Sequence, residues 1–182
     1  EGSYSEKRSK FLAYAFPVDN EAAVKVCLTK IQKKHSDARH HCYAYILGPT
    51  KDAYRMNDNG EPSGTAGRPI YGQLLSKDLT NVLVIVVRYF GGIKLGVSGL
   101  QNAYKTAARE ALNAATIEEK TIDEHYEVIF DYAQMNTVMQ ILKEPCVSVN
   151  KQQSDLQCSI VYSIRKREAD RIIQALKKIP SV

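Results

Sequence analysis

The fold is decided by the stretch Val82-Leu83-Val84-Ile85-Val86-Val87-Arg88-Tyr89-Phe90-Gly91-Gly92. It opens with an uninterrupted aliphatic run of six residues, which is the composition of a strand buried on both faces. We therefore predict a strand over residues 81–90 at the centre of a sheet. A membrane-spanning helix needs about 20 apolar residues, so this run is too short to cross a bilayer and no membrane association is predicted.

The surrounding sequence predicts a mixed sheet-and-helix domain. Glycines over residues 91–99 indicate a turn, and the apolar spacing from Leu100 to Ala115 predicts a long helix after it. Upstream, residues 11–16 and 41–47 have the composition of strands, and Asp19 or Asn20 is a suitable cap for a helix between them. The segment from Gly48 to residue 69 is predicted to be irregular, followed by a short helix to residue 75.

The last third of the chain has a different pattern. Apolar residues alternate at Tyr126, Val128, Phe130 and Tyr132, and again at Leu156, Cys158, Ile160, Tyr162 and Ile164, with helical spacing after each set. The order β-α-β-β-α is a ferredoxin-like plan without its last strand. We predict an α+β protein of two domains, residues 1–122 and 123–182, joined by a charged linker over residues 117–124.

Charge and cysteine usage limit the class of protein. The 182 residues are 44% hydrophobic and 25% charged, which excludes disorder. The net charge is +5, and all of the excess lies in residues 1–122, with 17 Lys and Arg against 12 Asp and Glu. This excess fits a polyanionic partner, and it also fits ordinary solubility. The four cysteines have no paired or zinc-type spacing and no secretory signal is visible, so a reduced, cytoplasmic location is expected.

Glycine placement indicates an anion-binding turn. Eight of the ten glycines lie between residues 60 and 99, and several precede a helix whose N-terminus favours negative charge. Their spacing matches neither a P-loop nor a dinucleotide fingerprint, so no nucleotide cofactor is predicted. A tight turn flanked by solvated cations is the alternative. The candidate residues for binding phosphate or RNA are Arg68, Arg88, Gly91, Gly92, Lys94 and Gly96.

A second candidate is the loop over residues 57–69, which combines acidic, hydroxyl and turn-forming residues. Two of its carboxylates suggest acid/base or metal chemistry, but the loop lacks the further oxygen ligands of a calcium site. The segment Arg39-His40-His41-Cys42 places only one imidazole and one thiol on a common strand face, too few for zinc. We predict no catalytic residue, no metal and no cofactor. The candidate ligand-loop residues are Asp58, Gly60, Glu61, Ser63 and Thr65.

Three motifs together resemble the YigZ/IMPACT family in its bacterial two-domain type: residues 37–42 (DARHHC), 58–69 (DNGEPSGTAGRP) and 86–96 (VVRYFGGIKLG). The resemblance implies a first domain similar to the second domain of small-subunit ribosomal protein five. It also implies a second domain similar to domain V of elongation factor G. Both of those relatives act at the ribosome. Eukaryotic members restrain a kinase through a further N-terminal domain, so that role is not carried over.

The leading hypothesis is a cytoplasmic, non-enzymatic protein that binds RNA, the ribosome or a protein of the translation machinery and modulates translation. It predicts salt-sensitive binding and a loss of affinity in Arg88→Ala without unfolding. One alternative is an enzyme acting on a small phosphorylated or peptidic substrate at the glycine-rich loop; some relatives carry a dipeptidase label. Another is a protein–protein adaptor or a homodimer. The sequence leaves the oligomeric state open.

Overall fold

A computed structural model describes residues 1–154 and 157–180 of the chain. The chain divides into two compact units, Glu1–Ile117 and Glu118–Val182. The division falls within the charged segment at residues 117–124. The predicted strand residue Leu156 lies outside the described residues.

The first unit is built on one five-stranded antiparallel sheet. Its strands are β1 (Gly2–Glu6), β2 (Ser9–Pro17), β3 (His40–Leu47), β4 (Ala53–Asn57) and β5 (Val82–Tyr89), in the order β1-β2-β5-β3-β4. Its helices are α1 (Glu21–Lys34), α2 (Gly67–Ser76) and α3 (Gly96–Asn113). The aliphatic stretch is therefore the central strand, as predicted.

Alternate residues of β5 serve two separate cores. Val84 and Val86 face α2 and α3, where the alanines of α3 allow that helix to approach the sheet closely. Leu83, Ile85 and Val87 face the opposite side and pack with buried residues of α1. The sheet is thus covered on both faces, which explains why β5 has no polar residue before Arg88.

Residues at both ends of α1 favour its start and its end. Asn20 is extended, and its side-chain oxygen accepts a hydrogen bond of 2.8 Å from the backbone N–H of Ala23. Lys33 and Lys34 in the last turn complement the negative end of the helix dipole.

The structure differs from the sequence prediction at three places in the first unit. The predicted irregular segment contains β4, and the N-terminal β1 was not predicted at all. Both strands are five residues long and lie at the edges of the sheet, and neither has the run of buried apolar residues that marks an inner strand. The helix α3 begins at Gly96, inside the predicted turn.

The second unit has the predicted ferredoxin-like order. It contains β6 (Asp123–Phe130), a 3-10 turn (Tyr132–Gln134), α4 (Met135–Leu142), β7 (Val147–Ser154), β8 (Cys158–Arg165) and α5 (Lys166–Leu176). The antiparallel sheet has the order β6-β8-β7, and α4 and α5 pack on one of its faces. Tyr132 was predicted to continue the first strand, but it lies in the 3-10 turn and is exposed.

Two negative findings concern the described residues alone. None of their helices combines the length and the apolar composition that a bilayer crossing requires. All four cysteines are free thiols.

Candidate functional site

The three sequence motifs meet at one end of the first sheet, on the side covered by α2 and α3. In the strand register, Arg88 of β5 lies between Phe11 of β2 and His40 of β3. The loop between β4 and α2 folds over β3 at this point, with Nδ1 of His40 2.9 Å from the carbonyl oxygen of Asn59. The side-chain oxygen of Asn59 also accepts a hydrogen bond of 2.7 Å from the backbone N–H of His41. Sequence reasoning left this convergence open.

The carboxylate of Asp58 holds this loop in place. Its Oδ2 accepts from the backbone N–H of Gly64 at 2.9 Å, and its Oδ1 accepts from Ala66 at 3.0 Å and Gly67 at 2.8 Å. Because α2 begins at Gly67, the acidic side chain caps the positive end of that helix from nine residues upstream. Asp58 therefore has a structural role, and three donors already occupy its oxygens.

The second carboxylate of the loop, Glu61, forms a buried ion pair. Its Oε1 accepts from Nη1 of Arg88 at 2.6 Å and from the hydroxyl of Tyr104 at 2.8 Å. The side chains of Arg88 and Glu61 are 6% and 3% exposed. The sequence alone predicts that Arg88→Ala spares folding, whereas the burial of this pair predicts that it does not, because Glu61 would lose its counter-charge.

Cys42 lies beside this ion pair, and its thiol is unreactive. Its Sγ is 2.9 Å from the carbonyl oxygen of Asp58 and 3.3 Å from the hydroxyl of Tyr104. Burial raises the pKa of the Cys42 thiol to about 12, and burial likewise raises the pKa of Tyr104. The thiol stays protonated at neutral pH, so it is not an activated nucleophile.

Arg88 also stacks between two aromatic rings. Its guanidinium carbon lies 5.5 Å from the ring centre of Phe11, which is fully buried, and 5.3 Å from that of Phe90, which is 53% exposed. Phe11 in turn makes an edge contact with Tyr104 at 5.1 Å between ring centres. Arg88 therefore contacts one ring in the core of the unit and one at its surface.

The glycine turn after β5 is shaped by a close backbone contact. A Cβ on Gly91 would lie 2.1 Å from the carbonyl carbon of Arg8, so the β1–β2 hairpin packs directly on this turn. The N–H of Gly91 also donates to Oγ of Ser9 at 3.1 Å. Gly92 and Gly96 have φ values of +86° and +73°, which glycine adopts without steric cost. Lys94, within the turn, is exposed.

A cleft of about 440 Å³ lies between the start of α2 and the exposed face of α3. Arg68 and Lys105 bring two positive charges to it, and none of its lining residues, all of them described, is acidic. The amide nitrogen of Gln101 lies 3.5 Å from the carbonyl oxygen of Gly64, across the cleft floor. The lining residues are Gly64, Arg68, Pro69, Ser98, Gln101, Asn102 and Lys105.

Five exposed cations lie at the cleft, in the glycine turn and at the β1–β2 hairpin turn. None of them forms an ion pair with a carboxylate in residues 1–154 or 157–180, which is also true of most other cations of this unit, such as Lys25 and Lys33. A group of cations held without counter-charges is suited to an anionic ligand. The five are Lys7, Arg8, Arg68, Lys94 and Lys105.

The remaining ligand-loop residues are divided between interior and surface. Thr65 is buried and donates its hydroxyl to the carbonyl oxygen of Pro62 at 2.6 Å. Gly60 and Ser63 are exposed. No group of three or more His, Cys, Asp or Glu side chains in the described part of the chain is arranged to bind a metal ion.

Sequence reasoning missed several residues of this region. Tyr104 is the one aromatic residue among the alanines of the α3 stripe, and that contrast is a usable signal for a polar contact in the core. Lys105 and Gln101 carry no such signal, because the cleft exists only when α2 packs against α3. Phe90 was predicted as the last residue of the central strand, and nothing in the sequence indicated that its ring is exposed.

Fold and site together define a class of protein: two α+β units, of which the first presents a basic, glycine-rich face over a buried ion pair. A profile of the Impact N-terminal domain matches residues 7–112. The "IMPACT family member YigZ" of Escherichia coli (strain K12) is 36% identical over 138 residues, covering 75% of this chain and 68% of that protein. The chain belongs to the IMPACT family, as the three motifs predicted.

Two further similarities extend over most of the chain. An "IMPACT family member" of Haemophilus influenzae is 31% identical over 163 residues, covering 88% of this chain and 79% of that protein. The crystal structure of a hypothetical protein superposes with a TM-score of 0.70 at 28% identity, covering 97% of this chain and 86% of that chain. The predicted two-domain α+β fold is confirmed by this match.

Proposed function

We propose that the protein binds RNA of the translation machinery through the basic face of its first unit and thereby modulates translation. The observation that carries the proposal is the cleft between α2 and α3, where Arg68 and Lys105 lie together without an acidic partner among the described residues. Family membership supports the link to translation, since the resemblance implies a role at the ribosome. The proposal remains one of binding rather than catalysis.

The cleft offers the chemistry that a phosphodiester backbone needs. Arg68 and Lys105 supply positive charge, and Ser98, Gln101 and Asn102 supply neutral donors at its edge. Its volume of about 440 Å³ accommodates a phosphate group with its sugar, and the cleft is largely open to solvent. The cleft therefore suits a polymer better than an isolated small anion.

The glycine turn before α3 extends this surface. Gly92, Lys94 and Gly96 are exposed, and the first backbone N–H groups of α3 have no side-chain cap. Free N–H groups at a helix start favour a negative ligand, and a nearby lysine adds to that preference. We assign Gly91 a supporting role, because its lack of a side chain admits the β1–β2 hairpin.

The enzyme alternative receives less support. The two carboxylates that it would use, Asp58 and Glu61, are engaged in a helix cap and in a buried ion pair. A general acid or base must reach its substrate, and Glu61 is buried beneath the loop.

The test is RNA binding by the full chain, measured by fluorescence anisotropy over a range of salt concentrations. We expect affinity to fall steeply with salt, and the double variant Arg68→Gln/Lys105→Gln to bind more weakly. Two lost phosphate contacts lower the salt slope by about 1.4 for single-stranded RNA. The matched control is Lys25→Gln/Lys33→Gln, which removes the same charge from exposed positions of α1, across the sheet.

Equal binding by the two double variants would refute the role of the cleft. Absent binding by the wild-type chain, or binding that does not change with salt, would refute the proposal as a whole. Pelleting of the same variants with ribosomes would then link binding to translation, and we expect the cleft variant to pellet less than its control.

A further inference from the structure

We propose that Phe90 stacks on an unpaired base of the bound RNA, so that the protein selects single-stranded segments over continuous duplex. This inference rests on the proposed RNA-binding function and specifies the ligand of that surface. The starting observation is that a large aromatic side chain directly after the most buried strand of the unit is 53% exposed.

The position of the Phe90 ring is set from beneath. The Arg88 guanidinium lies 5.3 Å from its ring centre, and Glu61 fixes Arg88 through the 2.6 Å contact. Phe11, 0% exposed, lies against the same guanidinium from the core side. The exposed ring therefore packs on a guanidinium that is itself held in place. An aromatic ring held in this way loses little freedom when a base packs on it.

Three exposed cations lie on the segments next to Phe90. Lys7 and Arg8 form the two-residue turn of the β1–β2 hairpin, and the close approach of Gly91 to Arg8 places this turn beside the residue that follows Phe90. Lys94 lies four residues after Phe90, in the glycine turn. These three cations are among the five without an ion-pair partner in the described residues. They are therefore free to contact phosphates on either side of a stacked base.

The hairpin turn itself is unusual. Lys7 and Arg8 have φ values of +46° and +66°, the left-handed geometry of a tight hairpin turn in which asparagine and glycine are normally favoured. Two long basic side chains at these positions project from the hairpin tip toward solvent.

An exposed ring among unpaired cations matches the chemistry of single-stranded nucleic acid. Base–aromatic stacking needs the face of a base, which a continuous duplex hides inside its own stack. Duplex recognition relies instead on phosphate and groove contacts, which do not need an exposed ring. Phe90 therefore favours an unpaired nucleotide, whereas the cleft cations alone do not discriminate between the two forms.

The experiment compares a single-stranded RNA of twelve nucleotides with a duplex of the same sequence, using the full chain. We expect Phe90→Leu, which keeps an apolar side chain but removes the ring, to weaken single-strand binding by roughly 5- to 150-fold and to leave duplex binding unchanged. Phe90→Trp should retain or strengthen single-strand binding. The control is Tyr132→Leu, which removes a 70% exposed aromatic ring from the second unit.

A second readout reports stacking directly. A single-stranded RNA carrying the fluorescent base 2-aminopurine should be quenched by the wild-type chain at saturation, and not by Phe90→Leu at saturation. Thermal unfolding of each variant confirms that the exposed substitution leaves the fold intact.

The outcomes separate the two proposals. If Phe90→Leu binds single-stranded RNA as tightly as wild type while Lys7→Gln/Arg8→Gln binds more weakly, the stacking proposal is overturned and RNA binding stands. Equal weakening on single strand and duplex also overturns stacking, since it indicates a general loss of surface. If the wild-type chain binds neither RNA, both proposals fail, and a protein partner becomes the occupant of the exposed ring.

Discussion

Neutralising Glu61 should destabilise the first unit strongly. The variant Glu61→Gln keeps an oxygen that accepts the hydrogen bond of Tyr104, but it removes the counter-charge of Arg88. The two side chains are 6% and 3% exposed, so water cannot replace the lost partner. Breaking a buried ion pair from one side costs about 3–5 kcal/mol, a large part of the stability of a typical domain.

The measurement is thermal and urea unfolding of the full chain by circular dichroism. We expect Glu61→Gln to lower the melting temperature of the first unit by about 10 °C or more. In hydrogen-exchange mass spectrometry, peptides from residues 58–66 and 82–89 of the variant should exchange faster than the same peptides of the wild-type chain. Peptides of the second unit should exchange at the wild-type rate. This localises the effect to the loop and to the central strand.

Two further variants complete the test. Glu110→Gln removes half of a pair with Arg109, in which the side chains are 45% and 49% exposed, and it should change stability by less than about 1 kcal/mol. The double variant Glu61→Gln/Arg88→Met should cost less than the sum of its single substitutions, by about 1–3 kcal/mol. If Glu61→Gln costs no more than the exposed control, the buried pair does not hold the loop in place.

Two other predictions follow from buried titratable groups. Since burial raises the pKa of Cys42 to about 12, iodoacetamide at pH 8 should label Cys42 only after denaturation, and rapid labelling of the native chain in mass spectra would contradict its placement. Burial, with a smaller contribution from Lys34, lowers the pKa of His35 below 6.5, so the unfolded chain binds that proton more readily. The contribution of His35 to the free energy of unfolding is fully present above pH 6.5 and is lost as the pH falls below that value. Urea midpoints between pH 7.5 and pH 5.5 should therefore decline, and they should decline less in His35→Asn.

Sequence predicted the elements that bury apolar side chains on a regular period. The aliphatic run of β5, the alanine stripe of α3 and the alternation in β8 each indicate which faces of the element are covered. The edge strands β1 and β4 escaped prediction for the opposite reason. Neither has a run of buried apolar residues, and they become strands because β2 and β3 offer backbone groups to pair with.

The candidate site was predicted as three motifs but not as one region. Arg88 looked like a surface ligand because the residues after it are turn formers. Its actual partner, Glu61, lies 27 residues earlier and reaches it only when the loop has folded over β3. No periodicity encodes such a contact, because it depends on where Asp58 binds the start of α2. The sequence shows which residues are charged, but it does not show that the loop folds over β3 and brings Glu61 to Arg88.

The loop that Asp58 organises brings its own helix cap. Three hydrogen bonds join the Asp58 carboxylate to amides within the next nine residues. The rest of the loop is held by partners outside it, on β3, β5 and α3. In engineering terms the segment is not self-contained, and a graft onto another α+β scaffold would have to carry the facing side chains of these three elements with it.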